Sequence, residues 1–200
     1  MIDAEFIGSD HPLLASSSDL EVAVRILEAA ELADPVATAH REQVIRFIRG
    51  HPNAAVRECA EGHLTGSALV LDADGTRTLL MHHRKLGRWF QPGGHADGDT
   101  NLAAVALREA SEETGIDGLR VHPTAVDVDV HVVESPGDPA HLHLDVRFLV
   151  LAPAGAREVG NEESTALCWV SEPGLADLVP PVDASTRRLV QVGLTRFAGS

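Results

Sequence analysis

Three glutamates, Glu109, Glu112 and Glu113, follow the run Pro92, Gly93, Gly94 and precede Gly115, at spacing i, i+3 and i+4. On a helix this spacing gathers the carboxylates within about a 100° arc of one face. Like charges so close repel one another. Mg²⁺, which prefers near-octahedral oxygen ligands and keeps water or phosphate in its shell, offsets that repulsion. Ala103, Ala106, Leu107 and Ala110 take the opposite face, where small side chains allow close packing on a sheet. The plainer alternative is a solvated acidic face with Arg108 paired to Glu112.

The flanking sequence supplies a sheet for this helix. Trp89 and Phe90 read as a short strand ending at Pro92 and the glycines, and Asn101 to Thr114 as the helix, with Gly115 as its C-terminal cap. From Gly62, alternating residues lead through Leu69, Val70 and Leu71 to a turn at Asp72 to Gly75, and Thr78 to His82 returns. Val126 to Val133 and His141 to Ala152 predict a long hairpin around a polar loop. Leu167 to Val170 is another short strand, and Asp183 caps a last helix with Val190, Leu194 and Phe197 on one face.

Two helices are expected before the sheet. Ser18 to Leu32 reads as amphipathic, with Ser18 and Glu21 as a capping box. The second starts at Asp34 and Pro35 and stops at Gly50. The expected organisation is an N-terminal helical extension over residues 1–60 and an α/β domain over 61–200, a mixed sheet packed between helices.

The formal charge of −14 argues against a nucleic-acid backbone or an anionic membrane as the main partner. Such a chain binds a polyphosphate through cations, Mg²⁺ or Mn²⁺ being suited to oxygen ligands. No basic-then-apolar leader and no span-length apolar stretch is seen, so a soluble cytoplasmic protein is expected. Cys59 and Cys168 lack zinc or redox spacing and read as buried free thiols.

The segment GHADGDTNLAAVALREASEETGI resembles the Nudix box, with Gly94, Arg108, Glu109, Glu112, Glu113, Gly115 and Ile116 in register and Ala110 as a small aliphatic. Thr100 replaces the isolated box glutamate. Asp97 or Asp99 is expected to brace Arg108 in its place, and Asp99 or Thr100 to cap the helix. The wording HHRKLGRWFQPGGHADGDT is similar to a bacterial subgroup of that family.

The resemblance implies an α/β/α sandwich and a catalytic set of Glu109, Glu112, Glu113 and Arg108. It also implies a Mg²⁺ or Mn²⁺ site formed by the three glutamates and Gly94. A further loop carboxylate often completes such sites, and Glu163 is the candidate, with Glu162 and Glu158 behind it. Homodimers are common in the family.

For the substrate, the basic segment Arg84, Lys85 and Arg88 is a candidate phosphate clamp, with Trp89 to stack on a base or pack inside. His141, His143, Asp145 and Arg147 share one face of a strand. His95, His143 and Asp145 are therefore candidates for substrate or second-metal contacts. The expected activity is hydrolysis of a phosphoanhydride in a nucleoside diphosphate linked to another moiety, or in a related small molecule. The rival class is a ligand-sensing or partner-binding module that binds without turnover, and a third is a diphosphate isomerase.

Overall fold

The computed structural model describes residues 6–135 and 138–199. Eight strands form one mixed sheet: β1 (Gly62–Leu71), β2 (Thr78–His83), β3 (Arg88–Phe90), β4 (Gly93–His95), β5 (Arg120–Val121), β6 (Asp127–Ser135), β7 (Asp138–Leu151) and β8 (Ser164–Val170). The helices are α1 (Leu20–Glu28), α2 (Pro35–Gly50), α3 (Leu102–Thr114) and α4 (Ala184–Ala198).

Strand β1 is the spine. It pairs in parallel with β7 from Gly62↔Leu142 to Leu71↔Leu151. Its other edge is shared between β2, at Val70 and Leu71, and β4, at Thr65 to Ser67, both antiparallel. The glycine turn is therefore hydrogen-bonded into the sheet as β4 and not left as a loop. The hairpin of β6 and β7 is longer than expected: β7 begins at Asp138, and residues 136–137 of the anticipated polar loop lie outside the described residues.

Period-two alternation sends the two faces of β1 into different cores. Leu64, Ala68 and Val70 pack with α1, α2 and α3 in one apolar cluster, and Leu69 and Leu71 pack with α4 in the other. Helix α1 starts later than the capping box implies. Its cap is Asp19, which accepts from Glu21 N–H at 3.0 Å, so Ser18 lies outside it. Asp34 caps α2 as expected, accepting from Val36 and Ala37. Val24 and Leu27 of α1 and Val44 and Ile48 of α2 belong to the same cluster as Leu64 and Val105. The N-terminal helices thus bury their apolar faces against the sheet and α3. Cys59 is buried; Cys168, expected to be buried, is only half-buried because β8 flanks the sheet edge.

Candidate active site

Helix α3 lies directly on β1 because Gly66 leaves room for it. A Cβ there would stand 2.8 Å from the Leu102 carbonyl oxygen and 3.1 Å from Val105. The N-cap is Asn101, whose side chain accepts from Ala104 N–H, and not Asp99 or Thr100. Gly115 ends the helix with φ 62°, the left-handed conformation that glycine adopts at least cost. With both ends set, Glu109 and Glu113 face β4. Gly93 N–H donates to the Glu113 carboxylate at 2.8 Å. The Glu109 carboxylate occupies the space a side chain at residue 94 would need.

This placement takes Glu113 out of water, leaving it 5% exposed. Burial pushes its carboxyl up to about 8; the Gly93 N–H opposes the shift, and Glu109, Glu163 and Glu112 add to it by like-charge repulsion. Glu109 is also raised by burial, against the Arg108 guanidinium at 2.9 Å and with help from Glu112 and Asp97. Glu112 is exposed at the rim, and Glu163, exposed on the loop before β8, is close enough to bear on Glu113. Four carboxylates thus share one site and hold protons more tightly than usual at two of them.

An anionic, all-oxygen set of this kind fits a hard divalent cation, whose charge removes the repulsion. The glutamate oxygens are not among the groups whose ligand atoms already lie within 4.8 Å of one another; among the described residues only a histidine trio does. Glu109, Glu112 and Glu113 are the residues that would hold such an ion.

The residues expected around Thr100 are engaged differently. Asp97, at φ 48°, forms a two-point pair with Arg57 at 2.7 and 2.8 Å. Asp99 accepts from Ser17 N–H and Asn101 N–H. Neither bonds Arg108, which instead holds Glu109 and donates to the His95 carbonyl at 3.2 Å. Thr100 is fully buried, its hydroxyl within 3.0 Å of the Ser17 carbonyl and 2.8 Å of the Asp19 carbonyl. This box position thus joins the loop to the segment that enters α1.

The basic segment is only partly available. Arg84 donates to the carbonyls of Glu162 and Ser164, fixing the loop that carries Glu163. Trp89 is half-buried against the α4-side core, with its indole N–H on the Val179 carbonyl at 3.2 Å and His82 against its ring. Lys85 and Arg88 are exposed. Glu158 accepts from the Trp169 indole and so serves packing.

Asp145 does not face a cleft. It is 2% exposed and accepts from Thr65, Ser67 and, at 2.7 Å, Arg147, itself 3% exposed. Arg147 also pairs with Asp127 and Asp129, while Arg188 of α4 reaches both of those aspartates. Burial works against ionisation of Asp145 and Asp129, yet the facing cations hold both carboxyls below their ordinary range. His95 and His143, by contrast, come together, along with His63, which the sequence reading passed over. Its signal was parity: His63, Thr65 and Ser67 alternate with the apolar positions of β1.

Residues 63–191 match the profile of the NUDIX domain. A Mycobacterium tuberculosis protein named "Putative 8-oxo-dGTP diphosphatase 3" is 37% identical over 142 residues, 64% of this chain and 62% of that relative. The match therefore spans less than two thirds of the relative's length. The solved Ap4A hydrolase of C. elegans, a binary complex, superposes with a TM-score of 0.56 at 18% identity, over 68% of this chain and 98% of that one. A MutT NUDIX hydrolase from Burkholderia pseudomallei gives a TM-score of 0.51 at 27% identity, over 66% and 97%.

Proposed function

The chain belongs to the Nudix family, its domain lying over residues 63–191, and on that premise we propose that it is a Mg²⁺- or Mn²⁺-dependent hydrolase of a phosphoanhydride bond. The substrate class is a nucleoside diphosphate linked to another moiety, or a related pyrophosphate. One observation carries this reading: the buried Glu113, raised to about 8, is bonded to Gly93 N–H amid Glu109, Glu112 and Glu163. Such a cluster is costly without a cation and well placed with one.

Glu109, Glu112 and Glu113 would hold the ion. When bound, it supplies charge for the phosphates and lowers the pKa of an attacking water. Glu113 gives up its proton to take part. Arg108 keeps Glu109 turned toward Gly94. Glu163 is offered by the loop that Arg84 fixes, as general base or further ligand, so the contribution of Arg84 is positional. Lys85 and Arg88 remain free to meet phosphate charge, and the acidic balance supports a small phosphorylated ligand over nucleic acid or a membrane.

The test is a panel of nucleotides and pyrophosphates, including 8-oxo-dGTP and Ap4A because relatives carry those names. Product mass identifies the bond broken. No described helix is long and apolar enough to cross a membrane, which is compatible with a cytoplasmic enzyme.

A further inference from the structure

The sheet lines up imidazoles on the face opposite α3. His63 pairs with His143 across the parallel strands β1 and β7, and His143 pairs with His131 across β6 and β7. His95 sits on the other edge of β1, opposite Thr65. The ring centroids of His63, His95 and His143 form a near-regular triangle, with sides of 4.8, 5.0 and 5.0 Å. One ring nitrogen from each lies within 4.8 Å of the others.

His63 supplies an independent observation. It is 4% exposed, and neither of its ring nitrogens makes a hydrogen bond of ordinary length and angle, the Cys59 backbone being the one polar group that otherwise bears on the ring. Buried polar atoms are seldom left so, because their lost hydration is not returned. In this fold its ring faces His95, His143 and His141.

We propose that His63, His95 and His143 form a binding site for a divalent transition-metal ion, Zn²⁺ foremost, distinct from the carboxylate site of α3. Three neutral nitrogen donors select Zn²⁺ and its neighbours over Mg²⁺, which takes oxygen. The ligand nitrogens lie within 4.8 Å of one another, and Zn–N bonds of 2.0–2.1 Å in a tetrahedron set them about 3.3 Å apart, so they close by up to about 1.5 Å when the ion binds. His141 borders the site: its Nδ1–H donates to the Pro139 carbonyl at 2.9 Å, which leaves Nε2 as the lone-pair nitrogen. His131, bonded to Asp129 at 3.0 Å, backs His143 from the next strand.

The ion would tie β4 to β1 and β7. Because His95 directly follows Gly93 and Gly94, such a tie steadies the turn that meets Glu113 and Glu109. This site does not depend on the hydrolase reading.

The test uses the full chain with any affinity tag removed and metals stripped by chelation. Zn²⁺ is titrated in competition with a chromogenic chelator, and Co²⁺ is added separately to read its visible d–d bands. One equivalent per chain is expected, with the strong bands of four-coordinate Co²⁺ and a higher Tm with Zn²⁺. His95→Gln and His143→Gln, both half-buried and so less disruptive than changes at His63, should each weaken binding by at least about 100-fold. Glu113→Gln should leave Zn²⁺ binding unchanged. Failure to bind Zn²⁺, equal binding by metal-free folded His143→Gln, or loss of binding in Glu113→Gln would each overturn the proposal.

Discussion

Gly93 N–H donates to the Glu113 carboxylate at 2.8 Å, a strand-to-helix bond that holds a buried acid whose pKa is raised to about 8. At pH 7 the metal-free protein therefore keeps a proton on Glu113 that an ion must displace. Titration of Mg²⁺ or Mn²⁺ at pH 7, in buffers of different ionisation enthalpy, should register release of close to one proton. Glu113→Gln should abolish that release.

The same shift has a stability consequence. Between the ordinary carboxylate range and about pH 8, the folded state binds a proton that the unfolded chain does not, so metal-free stability falls as pH rises through this window. His131, whose partial desolvation is outweighed by Asp129 and Asp145, is held above its usual value and slopes the same way, and its stabilisation is lost as pH rises through its folded pKa. Comparison with Glu113→Gln isolates the glutamate: the variant should show a flatter fall in Tm from pH 5.5 to pH 8 in chelator. The depressed Asp129 and Asp145 lose their stabilisation only at more acidic pH.

Gly94→Ala separates function from folding. The added methyl runs into the Glu109 carboxylate, the mobile end of a side chain, which swings away at small cost to the fold. We expect a change in unfolding free energy within about 1 kcal/mol and a fall in kcat of about 10-fold or more as the carboxylate is displaced. Denaturation and steady-state kinetics on one preparation measure both.

Thr100 gives a prediction against resemblance. Restoring the family's acid with Thr100→Glu places a charge in a fully buried site whose neighbours, the Ser17 and Asp19 carbonyls, both accept hydrogen bonds. Destabilisation of about 2 kcal/mol or more is expected, with no gain in rate. Thr100→Val, which loses only the hydroxyl, should cost about 1 kcal/mol. Urea unfolding of the two variants decides the order.

Arg147 holds together three aspartates, Asp127, Asp129 and Asp145, inside the molecule. Arg147→Met leaves them facing one another and should cost about 3–5 kcal/mol. Arg188→Met, at the edge of the same group, should cost less because Arg147 remains. Chemical denaturation gives the ranking.

The α3 site was legible because its information is local: the spacing of Glu109, Glu112 and Glu113, the glycines before them and Gly115 after them lie within one strand–turn–helix unit. Parity also placed His141, His143, Asp145 and Arg147 on one face. What it could not tell was which part of that face is covered. Arg188 arrives from α4, Asp127 and Asp129 from β6, and together they turn Asp145 and Arg147 into an internal ion group. His63 was missed because its link to His143 depends on the parallel register of β1 and β7, strands separated by the whole of α3. Thr100 misled for a similar reason: its partners, Ser17 and Asp19, stand more than eighty residues upstream.

The central claim is that the carboxylates of α3 support metal-dependent phosphoanhydride hydrolysis. Its most direct test is turnover on the nucleotide and pyrophosphate panel, read by product mass, for the native chain with Mg²⁺ or Mn²⁺, the native chain in chelator, and Glu113→Gln. The account predicts cleavage of at least one substrate with metal, none in chelator, and a loss of at least about 100-fold in Glu113→Gln. Nucleotide binding without product across the panel, or undiminished turnover in Glu113→Gln, would contradict it.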